Sequence, residues 1–418
     1  MTETLRLDHR LRRMVGRDPA EPHRAATPIE LLYDLTFVLA IGATTDETGH
    51  LVAEGHWAAA LAGFAFAMFA VCWAWIQYSW FSSAFDTDDW FFRIATMVQM
   101  VGVLILTLGL PAVFESLDRG EPLDNGLVVT GYVVMRLAHV ALWIRVAVSD
   151  ERHRRTALVY IVTIALAQAG WVALVLARPP LAVTAALLVP LYLVEIAGPV
   201  IAERGRGATP WHAGHIAERY GLLVIIALGE VVLGTVTTIS AVVAEHGWNA
   251  DAVVLAFAGI ALAFGLWWLY YITPAASVLR VRRSLRFVWG YGHLLVFASV
   301  AAIGAGLHVA AASIHGETTL PPAAVVLTIA VPVLVFELAI FALHSILLNA
   351  VDAFHVPLFI GSLLALAAAV VVALAGGSTT VALVLVVLSP VVTIVGYETV
   401  GHRHVAAALE RITAGSPG

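Results

Sequence analysis

Long runs of apolar residues fill most of the chain, and short polar segments interrupt them. A helix needs about 20 mostly apolar residues to cross a lipid bilayer. The runs predict an all-α polytopic membrane protein with about 12 transmembrane helices. The predicted spans, numbered in chain order, are residues 28–48, 56–80, 92–114, 126–148, 156–177, 181–202, 218–242, 251–272, 287–311, 322–346, 354–376 and 379–401.

The composition excludes a protein that is dissolved in water. Hydrophobic residues make up 60% of the 418 residues, and charged residues only 12%. Soluble domains carry roughly 25% charged residues, so this chain could not cover a surface in water. Soluble, disordered and nucleic-acid-binding proteins are thereby excluded, and the lipid bilayer is the expected partner. The single cysteine, Cys72, allows no intrachain disulfide and no cysteine-based zinc site.

The arginines indicate which side of the membrane each loop occupies. Cytoplasmic loops of membrane proteins carry an excess of basic residues. With the N-terminus in the cytoplasm, 20 of the 23 basic residues are cytoplasmic, Arg119 and Arg178 lie outside, and Arg136 lies within the membrane. We therefore predict a multi-pass protein of the cytoplasmic membrane with both termini in the cytoplasm.

The two halves of the chain resemble each other. Three residue types recur 193 positions further along, with Trp75, Tyr78 and Arg93 matched by Trp268, Tyr271 and Arg286. This pattern predicts two parallel six-helix repeats related by a pseudo-axis along the membrane normal. The predicted organisation is an Arg-rich cytoplasmic tail at 1–27, which contains Arg6 and Arg10, repeats at 28–205 and 206–405, and a cytoplasmic tail at 406–418.

Two acids in span 1 form the first candidate site. A charge in the hydrocarbon layer costs at least ~2.5–3.5 kcal/mol, so each one requires a reason. Glu30 and Asp34 are four residues apart and share a helix face, where they repel each other unless a cation or a proton lies between them. For Glu30 the alternative is a place in the interfacial first turn, because acids suit a helix N-terminus.

The segment FDTDDWFFR, residues 85–93, precedes span 3. Asp86 or Thr87 is expected to cap that helix, which places Asp86, Asp89 and Arg93 on one face. The aspartates also have the D-x-D-D spacing of a class II terpene cyclase acid. The segment is therefore either a helix cap or part of a functional site.

Span 7 carries further charges in the string WHAGHIAERYGLLVIIALGE, namely His212, His215, Glu218, Arg219 and Glu230. Eleven positions separate Arg219 from Glu230, which brings them within about 20° of each other around the helix. Gly229 is expected to let another helix approach Glu230. The two histidines are expected to be solvated rather than to bind a metal ion.

Other titratable groups are scattered through the later spans: Arg136, His139, Glu195, His293, His308, Glu337, His344 and Glu398. Arg136 is the expected counter-ion of a buried acid, and losing one partner of such a pair typically costs about 3–5 kcal/mol. His139 and His308 are expected to hydrogen-bond to neighbouring helices. The candidate site residues are Glu30, Asp34, Asp86, Asp89, Arg93, Arg136, His215, Glu218, Arg219, Glu230 and His293.

Several strings together resemble the bacterial low temperature requirement A family of multi-spanning membrane proteins. They are PIELLYDLTFVLAI, FDTDDWFFR, HIAERYGLLVIIALGE, WWLYY and YGHLLVFASVAAIGAG, together with Tyr132 and Arg136. The similarity follows residues 28–310 in order, with Leu32 and Tyr33 where the family usually has two Phe or similar. The resemblance implies a cytoplasmic-membrane protein linked to growth in the cold, and it supplies no substrate, cofactor or reaction.

The favoured function is an ion-coupled secondary transporter or permease for an unknown small molecule or ion. Twelve spans, the repeat and the buried acids favour it, and the chain has no G-x-x-x-x-G-K-[ST] motif for ATP-driven transport. In this interpretation Glu230 binds the coupling proton or cation, and Arg136 is its counter-ion or binds an anion. Asp34, Asp89 and Arg93 would then form a cytoplasmic gate.

Two alternatives remain open. An intramembrane enzyme acting on a lipid or isoprenoid would use the aspartates of residues 85–93 as acids or as ligands of Mg²⁺. A cold-adaptation membrane protein would need no turnover. We expect no cofactor and no resident metal.

Overall fold

The structure is a computed structural model that describes residues 11–22, 24–205, 207–349 and 354–414. These residues form helices and no strands. The α-helices are α1 Pro28–Ala53, α2 Trp57–Phe85, α3 Trp90–Asp118, α4 Gly126–Ser149, α5 Arg154–Ala177, α6 Leu181–Ala202, α7 Ala213–His246, α8 Ala250–Tyr271, α9 Ala275–Val281, α10 Arg286–Ile314, α11 Pro322–Leu348, α12 His355–Leu374, α13 Thr379–Gly396 and α14 His402–Ala414. A 3₁₀ turn at Arg283–Leu285 precedes α10, and a π-helical turn at Tyr397–Gly401 joins α13 to α14.

Within these residues, 12 helical stretches are long and apolar enough to cross a membrane. They coincide with the 12 predicted spans and confirm the all-α membrane fold. The sides of the membrane on which the termini lie, and the six-plus-six repeat, stay predictions. The predicted C-terminal tail is helical as far as Ala414, where α14 ends. This helix buries Val405, Ala408 and Ile412.

Close packing divides the chain into two compact units. Unit 1 contains the described residues of Met1–Phe37, Ala74–Ser116 and Gly120–Ile216. Unit 2 contains those of Val38–Trp73, Leu117–Arg119 and Ala217–Gly418. The division therefore runs through α1, α2, α3 and α7, so one helix can supply residues to both units.

Glycines bring α3 and α4 together in unit 1. A β-carbon at Gly131 would lie 2.5 Å from the backbone nitrogen of Leu106, and one at Gly102 would lie 2.6 Å from the carbonyl oxygen of Gly131. No side chain larger than hydrogen fits at either point, so the two backbones touch. This is the small-residue packing that helices use in membranes, where the hydrophobic effect does not drive them together.

A polar segment lies across the loops of unit 1. We name residues 11–22 and 24–27 the N-terminal strap. Gly16 donates its backbone N–H to Asp150 at 2.8 Å, and Arg17 donates its own to the carbonyl of Ala84 at 2.9 Å. Met14 is fully buried. The predicted tail 1–27 is thus packed against the protein over its described part, whereas Arg6 and Arg10 lie outside the described residues.

Candidate functional site

Glu30 and His215 form a buried pair in unit 1. Both side chains are completely enclosed, and the Nε2 of His215 lies 3.2 Å from the Oε2 of Glu30. Thr27 donates its backbone N–H to the same oxygen at 2.8 Å, and its hydroxyl faces the N–H of Glu30. This is a capping box at the start of α1, with Pro28 at the first helical position. The T-x-x-E spacing in the sequence was the signal for it.

Asp34 lies one turn further along α1 and is also fully buried. The indole N–H of Trp75, on α2, donates to its Oδ1 at 2.6 Å. Next to it, the rings of Tyr33 and Tyr78 stack with their centroids 3.9 Å apart. An aromatic side chain thus supplies polar contact to an acid that is enclosed by apolar groups, as buried polar atoms require.

The expectation that His212 and His215 are solvated was wrong. The imidazole of His212 donates from Nε2 to the carbonyl of Glu21 at 2.8 Å, and its Nδ1 accepts the backbone N–H of His215 at 3.0 Å. His212 therefore caps α7. Both histidines are buried, with Glu21 of the N-terminal strap in contact with His212 and Glu30 of α1 in contact with His215.

Asp89, rather than Asp86 or Thr87, caps α3. Its Oδ1 accepts the N–H of Phe92 at 2.9 Å, and Arg145 donates to both its oxygens at 3.1 and 2.6 Å. The helix begins at Trp90, two to three residues later than the predicted cap required. The predicted shared face of Asp86, Asp89 and Arg93 therefore does not form.

Arg93 points to solvent and pairs with Asp88, at 2.8 Å from Nε to Oδ1. The residues proposed to form a gate thus each have a separate partner: Asp34 has Trp75, Asp89 has Arg145, and Arg93 has Asp88. The described residues of unit 1 do not bring these three side chains into one cluster.

Asp86 lies beneath the N-terminal strap and is 5% exposed. Arg24 of the strap donates to the carbonyls of Ser82 and Ser83 at 2.6 Å each, in the last turn of α2, where the Ser82 carbonyl also accepts the backbone N–H of Asp86. The guanidinium lies 4.0 Å from the Asp86 carboxylate. Burial, with the negative charge of Glu30, nevertheless raises the pKa of Asp86 to about 6.

Replacing Asp86 by asparagine is expected to flatten the pH dependence of stability. The folded-state pKa of about 6 lies above the roughly 3.9 of an unfolded chain. Folding therefore takes up a proton between these values, and stability is lost as the pH rises through the folded-state pKa. Thermal unfolding in detergent across this range measures the slope. Asp88→Asn, an exposed aspartate of the same loop, is the control, and an unchanged slope in Asp86→Asn contradicts the prediction.

Arg136 has its acidic partner on α6. Its guanidinium donates to the hydroxyl of Tyr132 at 2.8 Å and lies 3.5 Å from an oxygen of Glu195, with both charged side chains about 96% buried. Glu195 was not selected as a site residue, although it is the sole acid within α6. His139 accepts the indole N–H of Trp143 at 3.0 Å, so its partner lies on its own helix and not on a neighbouring one.

Glu230 occupies a different environment in unit 2. Its side chain is 4% exposed, and its Oε2 has no hydrogen-bond partner among the described residues. A β-carbon at Gly42 of α1 would lie 3.1 Å from its Oε1, and one at Gly304 of α10 would lie 3.1 Å from its β-carbon. Gly229 has open space beside it, so the predicted helix approach at that glycine was wrong. The approach is made by glycines of the neighbouring helices.

A polar pair connects this region to the surface of unit 2. The Nδ1 of His308 lies 3.0 Å from the Oδ1 of Asp46, and the Asp46 side chain is 66% exposed. Both groups are near enough to interact electrostatically with Glu230. The partner of His308 is therefore on α1, a neighbouring helix, as its predicted role required. Asp46 itself was missed because it resembles an ordinary loop-side acid in the sequence.

The remaining candidates of unit 2 have other roles. His293 donates from Nδ1 to the carbonyl of Trp289 at 2.7 Å, and its Nε2 accepts from the hydroxyl of Tyr270 at 3.2 Å. Both nitrogens are engaged, which marks a structural histidine. Arg219 is fully buried and Glu218 is exposed, although they are adjacent on α7. In the described part of the chain, no group of three His, Cys, Asp or Glu residues is placed to hold a metal.

Comparison with known families identifies the chain. The family model of the bacterial low temperature requirement A protein matches residues 25–390. The chain belongs to the bacterial low temperature requirement A family. The match extends about 80 residues beyond the segment on which the sequence resemblance rested, so it includes the last apolar spans as well.

A curated relative is similar to this chain over part of its length. An uncharacterized protein of Rhizobium meliloti (strain 1021) is 24% identical over 302 residues, which are 68% of this chain and 69% of the relative. No solved structure matches the chain. In this low temperature requirement A protein, the family-like strings supply residues to both units: Glu30 and Asp34 to unit 1, and Glu230 and His293 to unit 2.

Proposed function

We propose that this low temperature requirement A protein is a secondary transporter coupled to protons, with Glu230 as the carboxylate that binds and releases the proton. The observation that supports this is the setting of Glu230: a buried carboxyl group with one oxygen lacking a hydrogen-bond partner among the described residues, beside an Asp46–His308 pair that reaches the surface of unit 2. Membrane proteins commonly place such acid and histidine chains along proton paths.

The energetics of Glu230 favour exchange of a proton over a permanent charge. An ionised carboxylate without hydrogen bonds is costly in an apolar interior, and protonation removes that cost. His308 is 17% exposed and Asp46 is 66% exposed, so side-chain exposure increases from Glu230 through His308 to Asp46. The proton on Glu230 can thus respond to the pH on the side of the membrane where Asp46 lies.

Helix packing offers a way to couple the proton on Glu230 to movement of the neighbouring helices. Gly42 and Gly304 hold α1 and α10 against the Glu230 side chain, without bulky groups between them. A negative charge at this point favours contact with water or a cation, and the close approach of Gly42 and Gly304 restricts such contact. Ionisation therefore favours a state in which these helices separate, and protonation favours the closed packing.

The lipid-enzyme alternative lacks such support. Its aspartates are engaged in local contacts: Asp89 caps α3 and binds Arg145, Asp88 binds Arg93, and Asp86 lies under the strap near Arg24. We further propose a location in the cytoplasmic membrane with both termini in the cytoplasm, on the arginine distribution. A role in growth in the cold stays a prediction.

Glu230→Gln is expected to abolish transport while the protein still folds, because glutamine keeps the size of the side chain and cannot carry the proton. The substrate is found by comparing metabolites inside and outside cells that lack the protein with cells complemented by the wild type, with and without a protonophore. Wild-type cells should show a metabolite distribution that the protonophore collapses.

Glu218→Gln is the matched control, because it makes the same charge change at an exposed position of α7. It should complement like the wild type, and Glu230→Gln should match cells without the protein at equal membrane abundance. Full complementation by Glu230→Gln would refute the proton-carrying role.

A further inference from the structure

A separate cavity in unit 2 lies among α8, α11, α12 and α13. Its volume is about 50 Å³, and it is lined by polar groups at several levels and by aromatic rings. Its residues on α11 are Glu337, Ile340, Phe341 and His344, which recur at the spacing of one helix face. Glu337 and His344 are among the scattered titratable groups of the later spans, and the proposed proton site uses neither.

Glu337 is the acidic group of this cavity. The residue is 6% exposed, and the hydroxyl of Ser389 donates to its Oε1 at 2.8 Å. Its Oε2 has no hydrogen-bond partner among the described residues. A carboxylate in this position needs a donor or a cation, because a buried charge without compensation is costly. The cavity that it lines can admit one.

The walls of the cavity favour a cation over an anion. Glu337 is the one acid among the residues that line it, no lining residue is Arg or Lys, and the other titratable side chains are His344, His355 and Tyr397. Phe341 and Phe359 stack with centroids 6.1 Å apart, and aromatic faces attract cations. The hydroxyl of Thr273 lies 3.1 Å from the Nδ1 of His344, so a hydroxyl group and an imidazole also line the cavity.

The backbone at Tyr397 adds a second, independent feature. Tyr397 lines the cavity and begins the π-helical turn Tyr397–Gly401. Single π-helical turns are rare and occur frequently at functional sites. The widened turn thus contributes Tyr397 to the wall of the cavity.

The volume limits the ligand. One water molecule needs roughly 10–15 Å³ of such space, so 50 Å³ holds about four waters or one small polyatomic ion. We propose that this cavity binds a small organic cation with N–H donors, of the methylammonium or guanidinium class, through Glu337 and the rings of Phe341, Phe359 and Tyr397. As a transport substrate this cation would deepen the proposed function, on which that part of the inference rests.

Binding is measured on the purified full-length protein in detergent by isothermal titration calorimetry. Methylammonium and guanidinium are the probes, with acetate as the charge control and tetraethylammonium as the size control. Saturable binding of the two probes, weakened at least tenfold in Glu337→Gln, is expected. Phe359→Leu should weaken binding while leaving the carboxylate in place, so a folding failure of one variant does not decide the test.

Glu398→Gln is the matched control, since this acid is exposed within the π-helical turn and does not line the cavity. It should bind both probes like the wild type. The proposal is overturned when Glu337→Gln binds like the wild type, when acetate or tetraethylammonium binds as well as the probes, or when neither probe binds.

Uptake of radiolabelled guanidinium into proteoliposomes under a pH gradient then separates this inference from the proposed function. Glu230→Gln should keep cation binding and lose gradient-driven uptake, whereas Glu337→Gln should lose both. Binding by the wild type without any uptake would refute proton-coupled transport of this cation and leave the binding site intact.

Discussion

Replacing Arg136 by methionine is expected to lower the free energy of unfolding by about 3–5 kcal/mol, the usual cost of stranding one partner of a buried ion pair. Glu195 would keep its charge in an apolar interior, without the guanidinium that lies 3.5 Å away in the wild type. Denaturation in detergent micelles, followed by tryptophan fluorescence, measures the change.

Two further variants test the cause of that loss. Arg136→Met combined with Glu195→Leu should recover much of the stability, because apolar residues of similar volume often replace a buried pair at little cost. Arg178→Met, at an exposed position, should change stability by less than about 0.5 kcal/mol. A double variant as unstable as the single one would contradict the ion-pair explanation.

Gly131→Ala is expected to cost about 2–3 kcal/mol, near the top of the range for overpacked interiors. Its methyl group would lie 2.5 Å from the backbone nitrogen of Leu106, and backbone atoms cannot rotate away as a side chain can. The helices α3 and α4 must therefore separate. The midpoint of thermal unfolding in detergent measures the loss.

Gly126→Ala provides the comparison on the same helix. Its nearest neighbour would be the Val175 side chain at 3.8 Å, an ordinary contact, so stability should hardly change. Equal destabilisation by the two substitutions would show that loss of glycine itself matters, and not the approach of α3 to α4.

The spans were predictable because length and hydropathy alone are enough to recognise a membrane helix. The family was predictable because its strings combine charged and aromatic residues in a fixed order. The beginnings of helices were less certain: the cap of α3 lies at Asp89, three residues from the predicted Asp86, because all the aspartates of that loop can cap. The T-x-x-E box at Thr27 was present in the sequence and was overlooked.

The charged candidates were also easy to find, since few charges lie within the spans. Their partners were not, because hydropathy does not encode which helices adjoin. Thus Arg136 pairs with Glu195, and Glu230 lies beside glycines of α1 and α10 rather than using Gly229. His212, at the start of α7, binds the carbonyl of Glu21, which lies nearly two hundred residues earlier in the chain. No local sequence pattern indicates such a contact.

The N-terminal strap has a consequence for how the protein is made. Its backbone binds Asp150, 134 positions later, and its Glu21 carbonyl binds His212, 191 positions later. A ribosome adds about 5–20 residues per second, so the strap waits roughly 10–40 s for its last partner. The first six spans are therefore synthesised before the strap has its last partner, and only the beginning of α7 completes its contacts. The beginning of the chain is among the last parts of unit 1 to reach its native contacts.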